Sequence, residues 1–262
     1  MSGIHPTAEK GFGDAADAYV RGRPDFPPAA LDWLRTDLGL GPAKTVIDLG
    51  AGTGKFTRRL VETGAAVIAV EPVDTMRVHL ARDLPAVTAL AGRAQHIPLR
   101  DACADAVVCA QAFHWFASTA SLAEIHRVLK PGGVLGLIWN VRDESVDWVR
   151  KLTDIMMPHE GEAPRYYNGE WRRVFPAPGF GELREREFRH EHVGSPEQVI
   201  VDRVASVSFI AALDETMREQ VLSRVRALIL SSPALIGRDV VSMPYVTRAY
   251  HCYSVDSWSK NP

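Results

Sequence analysis

The sequence lacks the features of several large protein classes. It has no apolar stretch of membrane-spanning length, and its first residues lack the apolar segment of a secretory signal. It also lacks the basic excess typical of nucleic-acid-binding proteins, since 30 Lys and Arg stand against 32 Asp and Glu. We therefore expect a cytoplasmic protein that binds neither membranes nor nucleic acid.

Cysteine is scarce, with Cys103, Cys109 and Cys252 as its three positions and no Cys-x-x-Cys spacing. An odd number of cysteines with this spacing indicates neither a disulfide framework nor a zinc site, so no metal is expected. Cys109 lies in an apolar run, and the simplest interpretation is a small core residue.

The most informative segment that is present runs from Val46 to Gly54, with the sequence VIDLGAGTG. It describes a buried strand that carries Asp48 and ends in a glycine turn. A second apolar run then ends at the acid Glu71. Glycines let a backbone approach a ligand closely, and a carboxylate after the next strand accepts both hydroxyls of a ribose. The segment therefore predicts a nucleoside-binding turn.

Three interpretations of the glycines compete. A P-loop needs a longer glycine spacing and a hydroxyl where Phe56 follows Lys55. A dinucleotide turn needs G-x-G-x-x-G, whereas the chain has G-x-G-x-G, and its pyrophosphate gains nothing from the nearby Asp48. The sulfonium and ammonium of S-adenosylmethionine do gain from acids around the turn. A purely structural glycine turn without a ligand stays open.

The rest of the pattern alternates strand and helix from Thr45 onward. Apolar runs without period-two alternation are typical of strands covered on both faces, as in a parallel sheet. We predict strands at 45–49, 66–71, 86–90, 105–110, 133–139, 183–192 and 244–255. We predict helices at 14–23, 28–38, 54–63, 74–83, 119–129, 146–157, 196–210 and 214–230, with a short helix near 170–175.

Four stretches together resemble the class I S-adenosylmethionine-dependent methyltransferases, type 11 group, which includes relatives of trans-aconitate methyltransferase. The stretches are the glycine turn with Glu71, the segment 92–99, the segment 105–115, and Arg127–Gly133. Their order and spacing make the set specific, and they cover roughly residues 45–140. One departure is Arg93, where many relatives carry an acid beside the adenine.

The resemblance implies an α/β fold of Rossmann-like type, with a seven-stranded, mostly parallel sheet in the order 3-2-1-4-5-7-6 and only strand 7 antiparallel. It implies that residues 1–44 form a helical lid over the cofactor, that 45–140 bind it, and that 141–262 bind the substrate and supply the last two strands. The implied cofactor-binding residues are Tyr19, Arg23, Asp48, Gly50, Ala51, Gly52, Gly54, Glu71, Pro72, Met76, Ala94, Gln95 and Gln111.

The catalytic candidates follow the fourth strand of the predicted sheet. His114 has the ordinary pKa range of a general base for a hydroxyl or amine, and Trp115 is a candidate for positioning the substrate. Alternatively, His114 lines the site without taking a proton, and a carboxylate acceptor needs no base. Arg142 and Arg203 are then candidates for holding a second anionic group, although a solvated surface arginine is the commoner case for each.

The expected function is methyl transfer to a small molecule through an oxygen or nitrogen nucleophile, by a monomer or homodimer. Two alternatives remain from the residues: a nicotinamide-dependent reductase, favoured only by the glycine turn and acid, and a non-enzymatic sensor of S-adenosylmethionine.

Overall fold

The structure is a computed structural model that describes residues 23–161 and 164–255. Tyr19 and almost all of the predicted helix at 14–23 lie outside the described residues. Within them, the chain forms a seven-stranded sheet in the order β3-β2-β1-β4-β5-β7-β6. The strands are β1 (Thr45–Leu49), β2 (Ala66–Val70), β3 (Thr88–Leu90), β4 (Ala104–Ala110), β5 (Leu129–Arg142), β6 (Arg184–Gly194) and β7 (Val241–Tyr253).

The strand order and directions agree with the expected fold. The pairs β1–β2, β1–β4, β2–β3 and β4–β5 are parallel. Strand β7 runs against β5, because Ser254 donates to Gly133 at one end of the pair and Asp143 donates to Pro244 at the other. The burial of β1 and β4 on both faces explains their continuous apolar sequence.

Most helices lie where the sequence predicts them. They are α1 (Pro28–Thr36), α2 (Thr57–Val61), α3 (Asp74–Asp83), α4 (Thr119–Val128), α5 (Asp147–Met156), α6 (Asp202–Ala205), α7 (Ser208–Ala211) and α8 (Glu215–Ser231). Short 3-10 turns cover Phe113–Trp115, Met157–His159 and Glu170–Val174, and a π-helical turn covers Glu197–Val201. In the part of the chain described, no helix is both long enough and apolar enough to cross a bilayer.

Two predicted elements differ from those observed. Strand β5 begins at Leu129 rather than near 133, because Leu129 pairs with Ala104 before the register shifts. The single helix predicted at 196–210 is broken into the π-helical turn, α6 and α7. The break follows Ser206, whose hydroxyl donates to the carbonyl of Arg203 and so competes with continued helix.

The chain divides into two compact units, and strands β5, β6 and β7 each contribute residues to both of them. The sheet unit comprises the described residues of 26–139, 164–188 and 247–255, and its core packs α1 and α2 on the sheet around Trp33, Leu60 and Val108. The helical unit comprises 23–25, 140–161 and 189–246, and its core packs α5 and α8 around Val149 and Val225. The division of roles at residues 44 and 140 stays a prediction.

Candidate functional site

The glycine turn follows β1 and contains Gly50, Gly52 and Gly54 at φ values of 75°, 57° and 83°. These values lie in the left-handed region, where residues with a Cβ are strained. A Cβ at Gly50 would also meet the Cβ of Ala112 at 2.8 Å, whereas one at Gly52 would meet only the sulfur of Met76, at 3.7 Å. Packing therefore explains Gly50, while Gly52 leaves its backbone open to approach.

Glu71 follows β2 and anchors the turn. Its Oε2 accepts a hydrogen bond from the Gly52 amide and its Oε1 accepts one from the Val73 amide, both at 2.8 Å. Burial raises the pKa of Glu71, and the two amides act in the opposite direction. Because a carboxylate has about four acceptor positions, two remain for hydroxyl groups of a ligand.

Asp48 in β1 is fully buried beside the turn. Its Oδ2 accepts a hydrogen bond of 2.6 Å from the Thr57 hydroxyl, while its Oδ1 is buried and has no hydrogen-bond partner among the described residues. Burial raises the pKa of Asp48 to about 7, although the Thr57 hydrogen bond lowers it, and the charge of Glu71 raises it further. A positively charged group nearby would satisfy both carboxyl groups.

Other predicted binding residues frame the same edge of the sheet. Residues 93 and 96 exchange backbone hydrogen bonds, so Ala94 and Gln95 lie at the tip of a tight turn, with Ala94 buried and Gln95 exposed. Gln111 directly follows β4, and its φ of 58° is a left-handed value rare for residues other than glycine. Such backbone strain is concentrated at functional sites. Ala51 and Pro72 are half-buried and Met76 is buried.

Arg23 is the predicted cofactor-binding residue that belongs to the helical unit. Its Nη2 donates to the Ser206 carbonyl at 3.1 Å, within that unit.

His114 lies in the 3-10 turn after β4, and Trp139 of β5 fixes its imidazole. The indole Nε1 donates a hydrogen bond of 3.1 Å to His114 Nδ1. An indole N–H is a donor only, so Nδ1 must carry the lone pair and the proton of a neutral imidazole must sit on Nε2. In this tautomer Nε2 is the donor of the ring, and the role of His114 as a general base stays a prediction. Trp115 stacks obliquely at 5.2 Å from the His114 ring.

An aromatic group surrounds Trp139 in the sheet unit. Tyr166, Trp171 and Tyr250 have ring centres 5.1, 4.7 and 5.9 Å from it. Tyr250 has no part in the site predicted from the sequence.

A hydrogen-bonded chain continues from this aromatic group. The hydroxyls of Tyr166 and Tyr250 are 2.7 Å apart, and Tyr250 donates to Glu185 at 2.8 Å, so Tyr166 is the donor to Tyr250. Arg172 and Arg248 also donate to Glu185. Burial raises the pKa of Tyr250, and its hydrogen bonds with Tyr166 and Glu185 raise it further. Tertiary contacts bring these residues together from distant parts of the chain, so no local signal reveals this group.

The cysteines and the possible metal ligands of the described residues lie as follows. Cys109 is fully buried, as its apolar run predicted, and burial raises its pKa. Within 23–161 and 164–255, His, Cys, Asp and Glu side chains form no cluster of three that could hold a metal ion.

Comparison with known protein families gives a consistent result. Residues 47–137 match the family "Methyltransferase domain". The chain is 43% identical over 236 residues to an uncharacterized methyltransferase of Mycobacterium tuberculosis, covering 90% of this chain and 92% of the relative. A methyltransferase-like protein of Schizosaccharomyces pombe is 37% identical over 238 residues, with 90% and 92% covered. A malonyl-[acyl-carrier protein] O-methyltransferase of Pectobacterium atrosepticum is 33% identical, with 56% and 62% covered.

Solved structures share the fold. A chain from Anaeromyxobacter dehalogenans, described as a type II methyltransferase, superposes with a TM-score of 0.66 at 24% identity, with 89% of this chain and 97% of the other covered. A phosphoethanolamine N-methyltransferase of Haemonchus contortus, solved with S-adenosylhomocysteine, gives 0.58 at 14% identity, with 98% and 61% covered.

Proposed function

The chain belongs to the class I S-adenosylmethionine-dependent methyltransferases, and from this premise we propose that it methylates an oxygen or nitrogen atom of a small molecule. The observation that carries the proposal is the aromatic group around His114 and Trp139, which lies in the sheet unit together with the glycine turn. The carboxyl ends of the parallel strands β1, β2, β4 and β5 lie on the same side of the sheet, where ligands of open α/β folds bind.

The residues of this edge fit the cofactor. The buried Oδ1 of Asp48 lacks a partner among the described residues and suits a cationic ligand, and Glu71 keeps acceptor positions for ribose hydroxyls. When bound, S-adenosylmethionine supplies an electrophilic methyl group on sulfur. The open face of Gly52 gives its backbone access to the ligand. Membership of the methyltransferase family argues against a nicotinamide-dependent reductase. A sensor that binds the cofactor without turnover is distinguished from an enzyme by the transfer assay below.

The protein's part in such a reaction is positioning. The sulfonium charge is dispersed as the methyl group leaves, so the enzyme gains most by aligning the nucleophile and excluding water, which is worth roughly 7–11 kcal/mol. The Trp139, Tyr166 and Trp171 rings are suited to excluding water. We assign His114 the role of a hydrogen-bond donor to the acceptor through Nε2, since Trp139 engages Nδ1. Trp115 then contributes to acceptor positioning beside His114.

The His114 assignment predicts a particular spectrum and pH profile. In protein labelled with ¹⁵N-histidine, His114 should show a protonated Nε2 and an unprotonated Nδ1 at neutral pH. Trp139→Phe, which keeps an aromatic ring but removes the donor, should populate the other tautomer. His114→Ala should reduce the maximal rate without removing a rate limb near pH 6. A limb that disappears in His114→Ala, with a loss of about 10²–10⁴ in rate, would instead assign His114 as the base.

The reaction itself is tested by an unbiased transfer assay. The protein is incubated with isotopically labelled S-adenosylmethionine and cell extract separated into small-molecule, protein and RNA fractions, and products are detected by mass. We expect label in the small-molecule fraction, and much less with a Glu71→Ala variant. Label only in protein or RNA contradicts the proposal. Cofactor binding by calorimetry with no transfer to any fraction favours the sensor.

The acceptor atom is a further part of the proposal. The relatives include both an O-methyltransferase and an N-methyltransferase, so the fold accommodates either acceptor. A neutral donor at His114 suits an acceptor that carries a lone pair without needing deprotonation, such as a carboxylate or an unprotonated amine. A cytoplasmic location and the monomer or homodimer expectation stay predictions.

A further inference from the structure

Arg203, the second residue of α6, is an unusual cation of the helical unit. It is 8% exposed, and its Nε and Nη1 are buried without a hydrogen-bond partner in the described part of the chain. None of the ion pairs formed within residues 23–161 and 164–255 involves it. The expectation from sequence alone was a solvated surface arginine as the commoner case, and burial excludes that case.

Burial without a partner is costly for this side chain in particular. A guanidinium keeps its charge at any pH at which the protein is folded, so it cannot reduce its desolvation penalty by losing a proton. Its neighbours along the chain, Val201, Val204 and Val207, are buried apolar residues of the helical core. An apolar side chain of similar length would pack there without that penalty, so packing alone does not explain an arginine.

The backbone around Arg203 is also irregular. The π-helical turn Glu197–Val201 precedes it, and such turns occur frequently at functional sites. Ser206 ends the helical segment by donating from its hydroxyl to the Arg203 carbonyl at 2.8 Å. The Arg23 guanidinium donates to the Ser206 carbonyl at 3.1 Å, so a second cation contacts the same turn.

We propose that Arg203 is the principal residue of an anion-binding site in the helical unit, which takes a carboxylate or phosphate group of a small organic molecule. The planar guanidinium matches either group with two parallel hydrogen bonds, from Nη2 together with Nε or together with Nη1. Nε and Nη1 have no partner among the described residues, so each side of the guanidinium keeps a donor for the anion. The site stands independently of the proposed methyl transfer. Its anion belongs either to the methyl acceptor or to a separate regulator.

The binding test uses inorganic phosphate and citrate as probes and thermal unfolding of the full chain as the readout. Sodium chloride at matched ionic strength corrects for general salt effects, because phosphate stabilises proteins by exclusion as well. The variant is Arg203→Met, which keeps a long unbranched side chain. The matched control is Arg224→Met, which removes an exposed arginine of α8 in the same unit.

We expect at least one probe to give the parent and Arg224→Met a saturable rise in Tm, about 5 °C at roughly 100 times Kd. Arg203→Met should lose this rise. Without an anion, Arg203→Met should unfold at or above the temperature of the parent, since it removes an unpaired buried charge. An equal rise in parent and Arg203→Met overturns the proposal, as does an Arg203→Met that unfolds well below the parent in chloride.

A second variant covers a failure of Arg203→Met to fold. Arg203→Lys keeps the charge and lacks the fork, so the concentration of probe for half-saturation should rise at least tenfold by calorimetry. Unchanged affinity in this variant overturns the proposal.

Kinetics then identify the source of the anion. If it belongs to the methyl acceptor, Arg203→Met raises KM for the acceptor and leaves kcat and the affinity for S-adenosylhomocysteine unchanged. If it belongs to a regulator, the anion alters rates without competing with the acceptor. Absence of any methyl transfer contradicts the proposed function alone, because the thermal readout needs no turnover.

Discussion

The two units of the molecule differ in how they compensate the cost of burying an ionisable side chain. In the sheet unit, the Asp48 and Glu71 carboxyl groups already accept hydrogen bonds, and burial raises the pKa of both. In the helical unit, Arg203 is buried with two donors that have no partner among the described residues. A carboxyl group escapes the cost of burial by taking up a proton, whereas a guanidinium stays charged. A fall in pH therefore removes the desolvation cost of the sheet-unit carboxyl groups by protonating them. Only a bound anion offsets the cost of burying Arg203.

The largest expected effect is a change in stability that depends on pH for the sheet-unit variant and not for the helical-unit variant. The pKa of Asp48 rises from 3.8 to about 7 on folding, so the unfolded chain ionises first and stability falls as pH rises between these values. Asp48→Asn should therefore match the parent below about pH 4 and gain on the order of 4 kcal/mol in unfolding free energy by about pH 8. The effect of Arg203→Met should not vary over this range. Urea unfolding at several pH values measures both.

A matched control for that experiment is Asp105→Asn. Hydrogen bonds from Lys130, Lys44 and the Thr45 amide outweigh burial and lower the pKa of Asp105 to about 2. Its contribution to stability is present above about pH 4 and is lost as pH falls towards 2, so the variant should be less stable than the parent at neutral pH. A gain in Asp48→Asn that stays constant with pH would show that protonation is not how this region tolerates burial.

The next effect sharpens the comparison by asking what the sheet-unit carboxylates bind. Glu71→Ala should lower the affinity for S-adenosylhomocysteine by roughly 1–3 kcal/mol, about 5- to 150-fold, because hydrogen bonds to a charged group are lost. Calorimetry measures it. The Asp105 carboxylate also accepts a hydrogen bond from a backbone amide, but it lies at the opposite ends of the strands. Asp105→Asn should therefore bind the ligand like the parent. Equal losses in the two variants would point to a general loss of folding instead of a lost contact.

The smallest effect concerns the backbone of the turn. Gly52→Ala and Gly132→Ala both place a Cβ at a left-handed φ, 57° and 71°, and neither meets an atom closer than 3.7 Å. Each should lose about 1–2 kcal/mol of stability. Only Gly52→Ala should also weaken cofactor binding, since the proposed function has the ligand approach the backbone of Gly52. Parallel thermal unfolding and calorimetry test the pair, and normal binding by Gly52→Ala would remove Gly52 from the cofactor contact.

The glycine turn and Glu71 were predictable because they lie in short segments of the sequence. Gly50, Gly52 and Gly54 are required by local backbone geometry, and Glu71 follows from the end of the next strand. The sheet order, the cofactor and the family were inferred from the resemblance and are confirmed. The separate roles of individual site residues stay predictions.

Other features depend on contacts that no local pattern encodes. The tautomer of His114 depends on Trp139 of the next strand, and the hydrogen bond from Tyr250 to Glu185 depends on the pairing of β7 with β6. Arg203 resembles any surface arginine in the sequence and is distinguished only by its burial.

The sequence by itself therefore determined the parallel α/β pattern and the glycine turn, because strand periodicity, glycine conformation and short spacings act over a few residues. Tertiary structure alone decided which carboxyl groups are buried with raised pKa, which nitrogen of His114 carries the proton, and which arginine is buried with two donors that have no partner among the described residues. Those properties depend on desolvation and on donors brought together from distant parts of the chain.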